Sequence, residues 1–234
     1  MFRALLVLAF WGVAAMPIGL IGIPWALLSR KADLLYRMGV RVGWAGVRLG
    51  GIKVEVVGSE KLDWRRTYIF MCNHASNLDP PIVIPVMRRR TSVLVKKELF
   101  RVPILGWGMR LTSLVPVDRR NREAAIASLH FAADVLRSGV NMTIWPEGTR
   151  SPDGRLLPFK RGPFHLAKES GVPIVPVTVA GTHEIWPKGE FAIHPGTATV
   201  IFHEPINPAA YASLEALIDA VRERIRGGLP EKYQ

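Results

Sequence analysis

Seven short apolar runs, rich in β-branched and aromatic residues, punctuate the chain beyond residue 50. They are Lys53 to Val57, Tyr68 to Cys72, Ser92 to Val95, Leu114 to Val117, Met142 to Trp145, Ile174 to Val179 and Thr197 to Phe202. Runs of this length and composition read as strands. Between them the apolar period lengthens to that of a helix. The clearest case is Arg122 to Arg137, with Ile126, Leu129, Ala133 and Leu136 on one face, Asn121 as N-cap and Gly139 as the C-terminal stop. Further helices are expected at Gly162 to Glu169 and Leu214 to Ile225. Several strands lack polar alternation, as strands covered on both faces do. The expectation is an α/β fold: one domain over residues 50–234 with a mostly parallel, doubly covered central sheet.

The first 49 residues follow another pattern. From Ala4 to Leu28 there is no charged side chain, and at ~1.5 Å per residue such a stretch reaches across a bilayer core of ~30 Å. Pro17 and Pro24, with Gly12, Gly19 and Gly22, interrupt it. That predicts a kinked helix, or two short helices entering one leaflet, over a straight span. No small-x-small cleavage site follows the run, so a retained anchor is expected rather than a signal peptide. At 100° per residue Arg37, Arg41, Trp44 and Arg48 share a stripe, which suits lipid headgroups or, equally, the outer face of an ordinary surface helix. The glycines there weaken the helix itself. Residues 1–49 are therefore read as a membrane-anchoring helical motif. Arg30, Lys31, Arg37 and Arg41 behind the apolar run place the following domain on the cytoplasmic side.

Charge narrows the partners. Among 234 residues Lys and Arg outnumber Asp and Glu 31 to 19, a formal balance of +12, which favours anionic partners: phosphorylated substrates, nucleic acid or an acidic bilayer face. Nucleic acid is disfavoured because aromatic and basic residues do not interleave as a stacking platform. With Cys72 the only cysteine, there is neither an intrachain disulfide framework nor a cysteine-based zinc site.

Two stretches just beyond strand ends carry candidate chemistry. In Cys72-Asn-His-Ala-Ser-Asn-Leu-Asp-Pro-Pro81, Asp79 reads as an N-cap followed by proline at the first helical position. A compatible reading is that the cap holds Asp79 as the acid that orients His74, a base. Ser76 has no nucleophile elbow around it, and a Cys72/His74/Asp79 metal site has too few ligands. In Trp145-Pro-Glu-Gly-Thr-Arg150 a glycine turn carries Glu147 and Arg150, either as an ion pair closing the turn or with the Arg fork open to phosphate. Lys160-Arg161 follow at a helix start. Lys96-Lys97 and Asp118-Arg119-Arg120 also sit after strands, and in a parallel sheet such ends gather around ligands. His130, His165, His183, His194 and His203 read as structural or exposed, with Gly181 to Glu184 as a possible rim.

The two stretches also resemble a known family. Asn73 to Asp79 resembles the NHx₄D block of the glycerolipid acyltransferases, and Pro146 to Ser151 resembles their PEGTRS block. Val95 to Leu99 with Val102 to Gly106, Val115 to Arg119, and Gly171 to Val177 resemble their other blocks in the same order, most closely in the bacterial 1-acyl-sn-glycerol-3-phosphate acyltransferases. The resemblance implies acyl transfer from acyl-CoA or acyl carrier protein to the sn-2 hydroxyl of lysophosphatidate, giving phosphatidate, or to another lysolipid acceptor. It implies His74 as general base and Asp79 as its orienting acid. Glu147, Gly148, Thr149, Arg150, Arg119, Lys96 and Lys97 would form the acceptor site, with Glu147 orienting Arg150 or a glycerol hydroxyl. No cofactor or metal is expected. The implied partners are membrane phospholipids, lysophosphatidate and the acyl donor, at the cytoplasmic face of a bacterial inner membrane.

Overall fold

The computed structural model describes residues 1–118 and 121–234. The chain begins with α1 (Phe2–Pro17), a π-helical turn (Ile18–Gly22) and α2 (Ile23–Ser29), continuous as one helical run. Pro17 and Pro24 do not break it. Each proline removes one backbone N–H, and the wide turn between them absorbs the mismatch, with the Ile23 N–H reaching back to the Ile18 carbonyl. Of the two expected forms, a kinked helix or two short helices, the structure has the single helix, interrupted by a π-bulge. It is long and apolar enough to cross a membrane, and only 11% of its most apolar window is buried. The run ends where Arg30 takes up left-handed backbone at φ 55°.

Helix α3 (Asp33–Leu49) returns along it. A seam of mostly small residues, Ala4, Val7, Gly22 and Ala26, is buried. Trp11 donates its indole N–H to the Val42 carbonyl at 3.2 Å. The glycines that weaken α3 as an isolated helix are packing seats: a Cβ on Gly46 would lie 2.0 Å from Trp11 Nε1, and one on Gly43 would touch Pro81. Arg37, Arg41 and Arg48 face outward, and Arg48 lies over the Trp44 ring. The basic stripe is therefore the outer face of a helix packed on the domain.

The domain is built on a seven-stranded sheet in the order β1-β7-β6-β2-β5-β3-β4. The strands are β1 (Ile52–Val57), β2 (Ile69–Cys72), β3 (Thr91–Lys96), β4 (Val115–Val117), β5 (Asn141–Ile144), β6 (Ile174–Ala180) and β7 (Gly196–Phe202). Each lies at a run picked out by its apolar pattern. All pairings are parallel except β6 with β7, so the sheet is mostly parallel as expected. Alternation along β2 splits the core: Phe70 and Cys72 join Val47, Leu78 and Ile82 on one face. Ile69 and Met71 join Leu136, Phe164 and Leu217 on the other.

The first face is covered by α3 and α4 (Asp79–Val86), and the short α5 (Leu105–Leu111) follows β3. The second is covered by α6 (Arg122–Arg137), α7 (Gly162–Ser170) and, after the single-turn α8 (Thr182–Ile185) that follows β6, α9 (Leu214–Gly227). Asn121 caps α6, its side chain accepting the Ala124 N–H, and Gly139 follows at φ 83°. Of the predicted α6 face, Ala133 and Leu136 are buried, but Ile126 stays exposed one turn from the helix start. Edge strand β1 leaves Val56 and Val57 exposed, so the double cover belongs to the central strands.

Candidate active site

Strand β2 delivers the first loop. Asn73, buried at its end, pairs like a strand residue with Val179 of β6, donating to its carbonyl at 2.8 Å and accepting its N–H at 2.7 Å. The next residue is His74. Its Nδ1 lies 2.7 Å from Asp79 Oδ2. The same oxygen accepts the N–H groups of Ala75 and Ser76 at 2.8 and 2.9 Å. An ionised carboxylate only accepts, so Nδ1 carries the proton and Nε2 holds the lone pair. Asp79 is fully buried, whereas the imidazole keeps 17% of its side-chain surface.

From sequence Asp79 reads both as the cap of the helix that it opens and as the acid that orients His74. It is not the cap: its carboxylate folds back over residues 74–76, and Leu78 takes the cap position without a side-chain bond. Pro80 and Pro81 occupy the first turn and need no acceptor there. The cap reading and the orienting reading are therefore separate, and the geometry fits the second. Ser76 is fully buried, donating to the Trp186 carbonyl at 2.8 Å, which removes it as a nucleophile.

The second loop leaves β5 and grips the first. Glu147 accepts the His74 backbone N–H at 2.6 Å through Oε1 and the Leu157 N–H at 3.0 Å through Oε2. The Ser151 N–H in turn donates to the His74 carbonyl at 2.7 Å. Both backbone groups of His74 are thus held by one turn, which Gly148 makes possible at φ 71°. The Trp145 ring stands 5.2 Å from the imidazole, centroid to centroid.

Glu147 is not the partner of Arg150 in an ion pair; it faces the backbone. It is 2% exposed, and burial raises its pKa from 4.5 to about 8, against the lowering effect of its two N–H donors. Asp79 nearby adds to the rise, and Arg222 opposes it. Arg222, on α9, donates to the Leu157 carbonyl at 2.8 Å, steadying the strand of chain that Glu147 holds.

The proposed acceptor residues divide. Thr149 is exposed and Arg150 half-buried on the gripping turn. The Arg150 carbonyl accepts from Lys188 Nζ at 2.8 Å, and the Lys160 stem passes beside Gly148. Lys96 instead lies 3.9 Å from Glu98, and Lys97 is bonded to Asp118. Among the described residues no hydrogen bond ties either lysine to the His74 or Glu147 loops. Arg119 lies outside the described residues. Gly181 to Glu184 come near the second loop: His183 packs beside Gly154 and edge-on to Tyr233.

Asn73, Ser151, Lys188 and Arg222 were not singled out from sequence. Asn73 and Ser151 sit inside the two motifs, which is the signal that could have found them. Lys188 and Arg222 have no signal of that kind.

A family model described as Acyltransferase matches residues 53–180, which span both loops. The chain belongs to this acyltransferase family. It is 40% identical over 186 residues to a 1-acyl-sn-glycerol-3-phosphate acyltransferase of Limnanthes alba, covering 79% of this chain and 65% of that relative. It is 33% identical over 178 residues to the 1-acyl-sn-glycerol-3-phosphate acyltransferase alpha of Mus musculus, covering 74% of this chain and 62% of the relative. The chain thus spans less than two thirds of the length of these curated relatives. The crystal structure of the 1-acyl-sn-glycerophosphate acyltransferase PlsC from Thermotoga maritima superposes with a TM-score of 0.81 at 30% identity, covering 96% of this chain and 93% of that one.

Proposed function

We propose that this acyltransferase moves a fatty acyl group from an acyl thioester, acyl-CoA or acyl carrier protein, to the sn-2 hydroxyl of 1-acyl-sn-glycerol-3-phosphate. The observation that carries the reading is the fixed His74 imidazole, bonded through Nδ1 to buried Asp79 and clamped through its backbone by the Glu147 turn.

His74 Nε2 takes the hydroxyl proton as the oxygen attacks the thioester carbonyl. An oxygen–carbon bond forms, the carbon–sulfur bond breaks as the tetrahedral intermediate collapses, and the imidazolium returns the proton to the leaving thiolate. No covalent enzyme intermediate is needed. Proton transfer of the kind assigned to His74 is worth ~10²–10⁴-fold in rate, and Asp79 keeps the reactive tautomer and stabilises the imidazolium. Arg150, on the turn that grips His74, meets the acceptor phosphate with its planar fork.

The apolar helical run over residues 2–29 suits membrane association, which brings the site to lipid substrates. In this reading it attaches the protein to a bacterial inner membrane with the domain on the cytoplasmic side, where acyl donors are soluble. The test is acceptor-dependent release of free thiol from acyl-CoA and from acyl carrier protein. Lysophosphatidate, lysophosphatidylcholine, a lyso-ornithine lipid and a monoacylglycerol are compared. Release that requires lysophosphatidate supports the reading; preference for an acceptor without a phosphomonoester overturns it.

A further inference from the structure

The segment from the exit of β3 into the first turn of α5 carries four large apolar side chains turned to solvent. Leu99, Val102, Leu105 and Trp107 are each between 41% and 54% exposed. Their exposure is not slackness in the chain. Gly106 sits so close to the Phe100 carbonyl that a Cβ there would lie 2.2 Å from its oxygen, and the Arg110 guanidinium donates to the same carbonyl at 3.0 Å. Ile104 has φ 61° and ψ −58°, and the Leu105 N–H bonds the Pro103 carbonyl across it at 2.6 Å. This is a γ-turn of the rare, strained hand, on a β-branched residue.

The strained residue faces the N-terminal helix. A Cβ on Gly19, inside the π-bulge, would lie 3.1 to 3.2 Å from the Ile104 side chain. Around this contact a groove of about 450 Å³ is lined by Leu20, Ile23, Leu27, Ile104 and Trp107 among others. Its apolar rim continues onto Leu20, Ile21, Trp25 and Leu28, which are 53% to 86% exposed. The two surfaces, about 70 to 90 residues apart in sequence, form one apolar face.

We propose that the segment from Leu99 to Trp107 is a second bilayer-contacting element, seated at the boundary between headgroups and acyl chains beside the N-terminal helix. A lipid surface is the occupant that fits. The patch is continuous with a helix already apolar enough for the membrane, it carries exposed Arg101 where lipid phosphates would lie, and Trp107 is the residue type suited to that depth. β3 runs parallel to β2 through β5, so this segment leaves the sheet at the carboxyl ends of the strands, as the His74 loop does. Docking there would turn the site toward the membrane surface. The inference rests on the membrane association of residues 2–29 and is independent of the acyl-transfer chemistry.

Cys72 is fully buried, so single surface cysteines can be labelled selectively. The full chain carrying Val102→Cys or Leu105→Cys is labelled with an environment-sensitive fluorophore. It is reconstituted into vesicles of phosphatidylcholine and phosphatidylglycerol beside an Asp219→Cys control on α9, across the sheet. Flotation first establishes attachment of the chain, the part that depends on the N-terminal helix. The expected result is loss of emission at 102 and 105 with doxyl-labelled lipid and protection from iodide, with the reverse at 219. In floating protein, iodide quenching at 102 and 105 without doxyl quenching would overturn the proposal. Protection from both quenchers would overturn it too, and would indicate a second copy of the chain on this face.

Discussion

Glu147 Oε1 accepts the backbone N–H of His74 at 2.6 Å, across 73 residues of sequence. The carboxylate that the family resemblance places among the acceptor ligands is thus part of the frame around His74. Glu147→Gln keeps one acceptor oxygen but turns an amide N–H₂ toward one of two donors, His74 or Leu157. The expected outcome is a fall in kcat of about 10–100-fold, on the order of 1–3 kcal/mol for an unsatisfied buried donor, with the acceptor KM little changed. Steady-state kinetics in detergent or vesicles check it.

The same residue predicts a pH dependence of stability. Its pKa is raised from 4.5 to about 8 on folding, so between those values the folded state holds a proton that the unfolded state has released. Its favourable contribution is fully present below pH 4.5 and is lost as pH rises through 8. Melting curves across this window should show wild-type stability declining relative to Glu147→Gln as pH rises. A constant difference would contradict the burial of an ionisable group.

Asp79 holds Nδ1 of His74 and two backbone N–H groups with one oxygen. Asp79→Asn presents a neutral amide, which supports the imidazolium poorly and can stabilise the other tautomer. A fall in kcat of about 10²–10⁴-fold is expected, with the circular dichroism spectrum retained. Activity within a few-fold of wild type would show that the pair is structural only.

Arg150 and the two lysines on β3 and its exit make unequal contributions in this account. Arg150→Ala should raise the KM for lysophosphatidate by about 10–100-fold, consistent with ~1.5–3 kcal/mol for a charge-assisted bond. It should leave transfer to a monoacylglycerol largely unaffected. Lys97→Ala, whose ammonium is already bonded to Asp118, should change KM by less than Arg150→Ala. A larger effect at Lys97 would show that the pair opens when the acceptor binds.

Gly46 of α3 is the seat of the Trp11 indole, where a Cβ would lie 2.0 Å from Trp11 Nε1. Gly46→Leu must displace the Trp11 indole and its bond to Val42. Limited proteolysis should then cut faster near residues 30–33, between α2 and α3, and the melting temperature should fall. Overpacking of this kind typically costs ~1–3 kcal/mol.

Much of the fold is legible because strand identity is a local property. Apolar, β-rich runs such as Ile174 to Ala180, buried on both faces, have no helical alternative that would bury them as well. The same holds for α6, whose cap at Asn121 and stop at Gly139 are single-residue signals. The prolines left one interrupted helix and two short helices open, and the choice is made by a feature with no local signal: the π-turn at Ile18–Gly22 keeps Pro17 and Pro24 in one helix. At the site, the His74–Asp79 pair lies within five residues and could be read. The contacts that fix it could not. Asn73 meets Val179 across 106 residues, and Glu147 meets His74 across 73; each is decided by the order β6-β2-β5, which no short pattern encodes. Asp79 as a cap and Glu147 beside Arg150 were both locally sensible, and packing assigned each carboxylate to the backbone around His74 instead.

The most direct measurement is acceptor-dependent thiol release from acyl-CoA by purified His74→Ala protein whose melting temperature is close to wild type. The account predicts loss of turnover by about 10²–10⁴-fold, with vesicle binding unchanged. Turnover within a few-fold of wild type would contradict it.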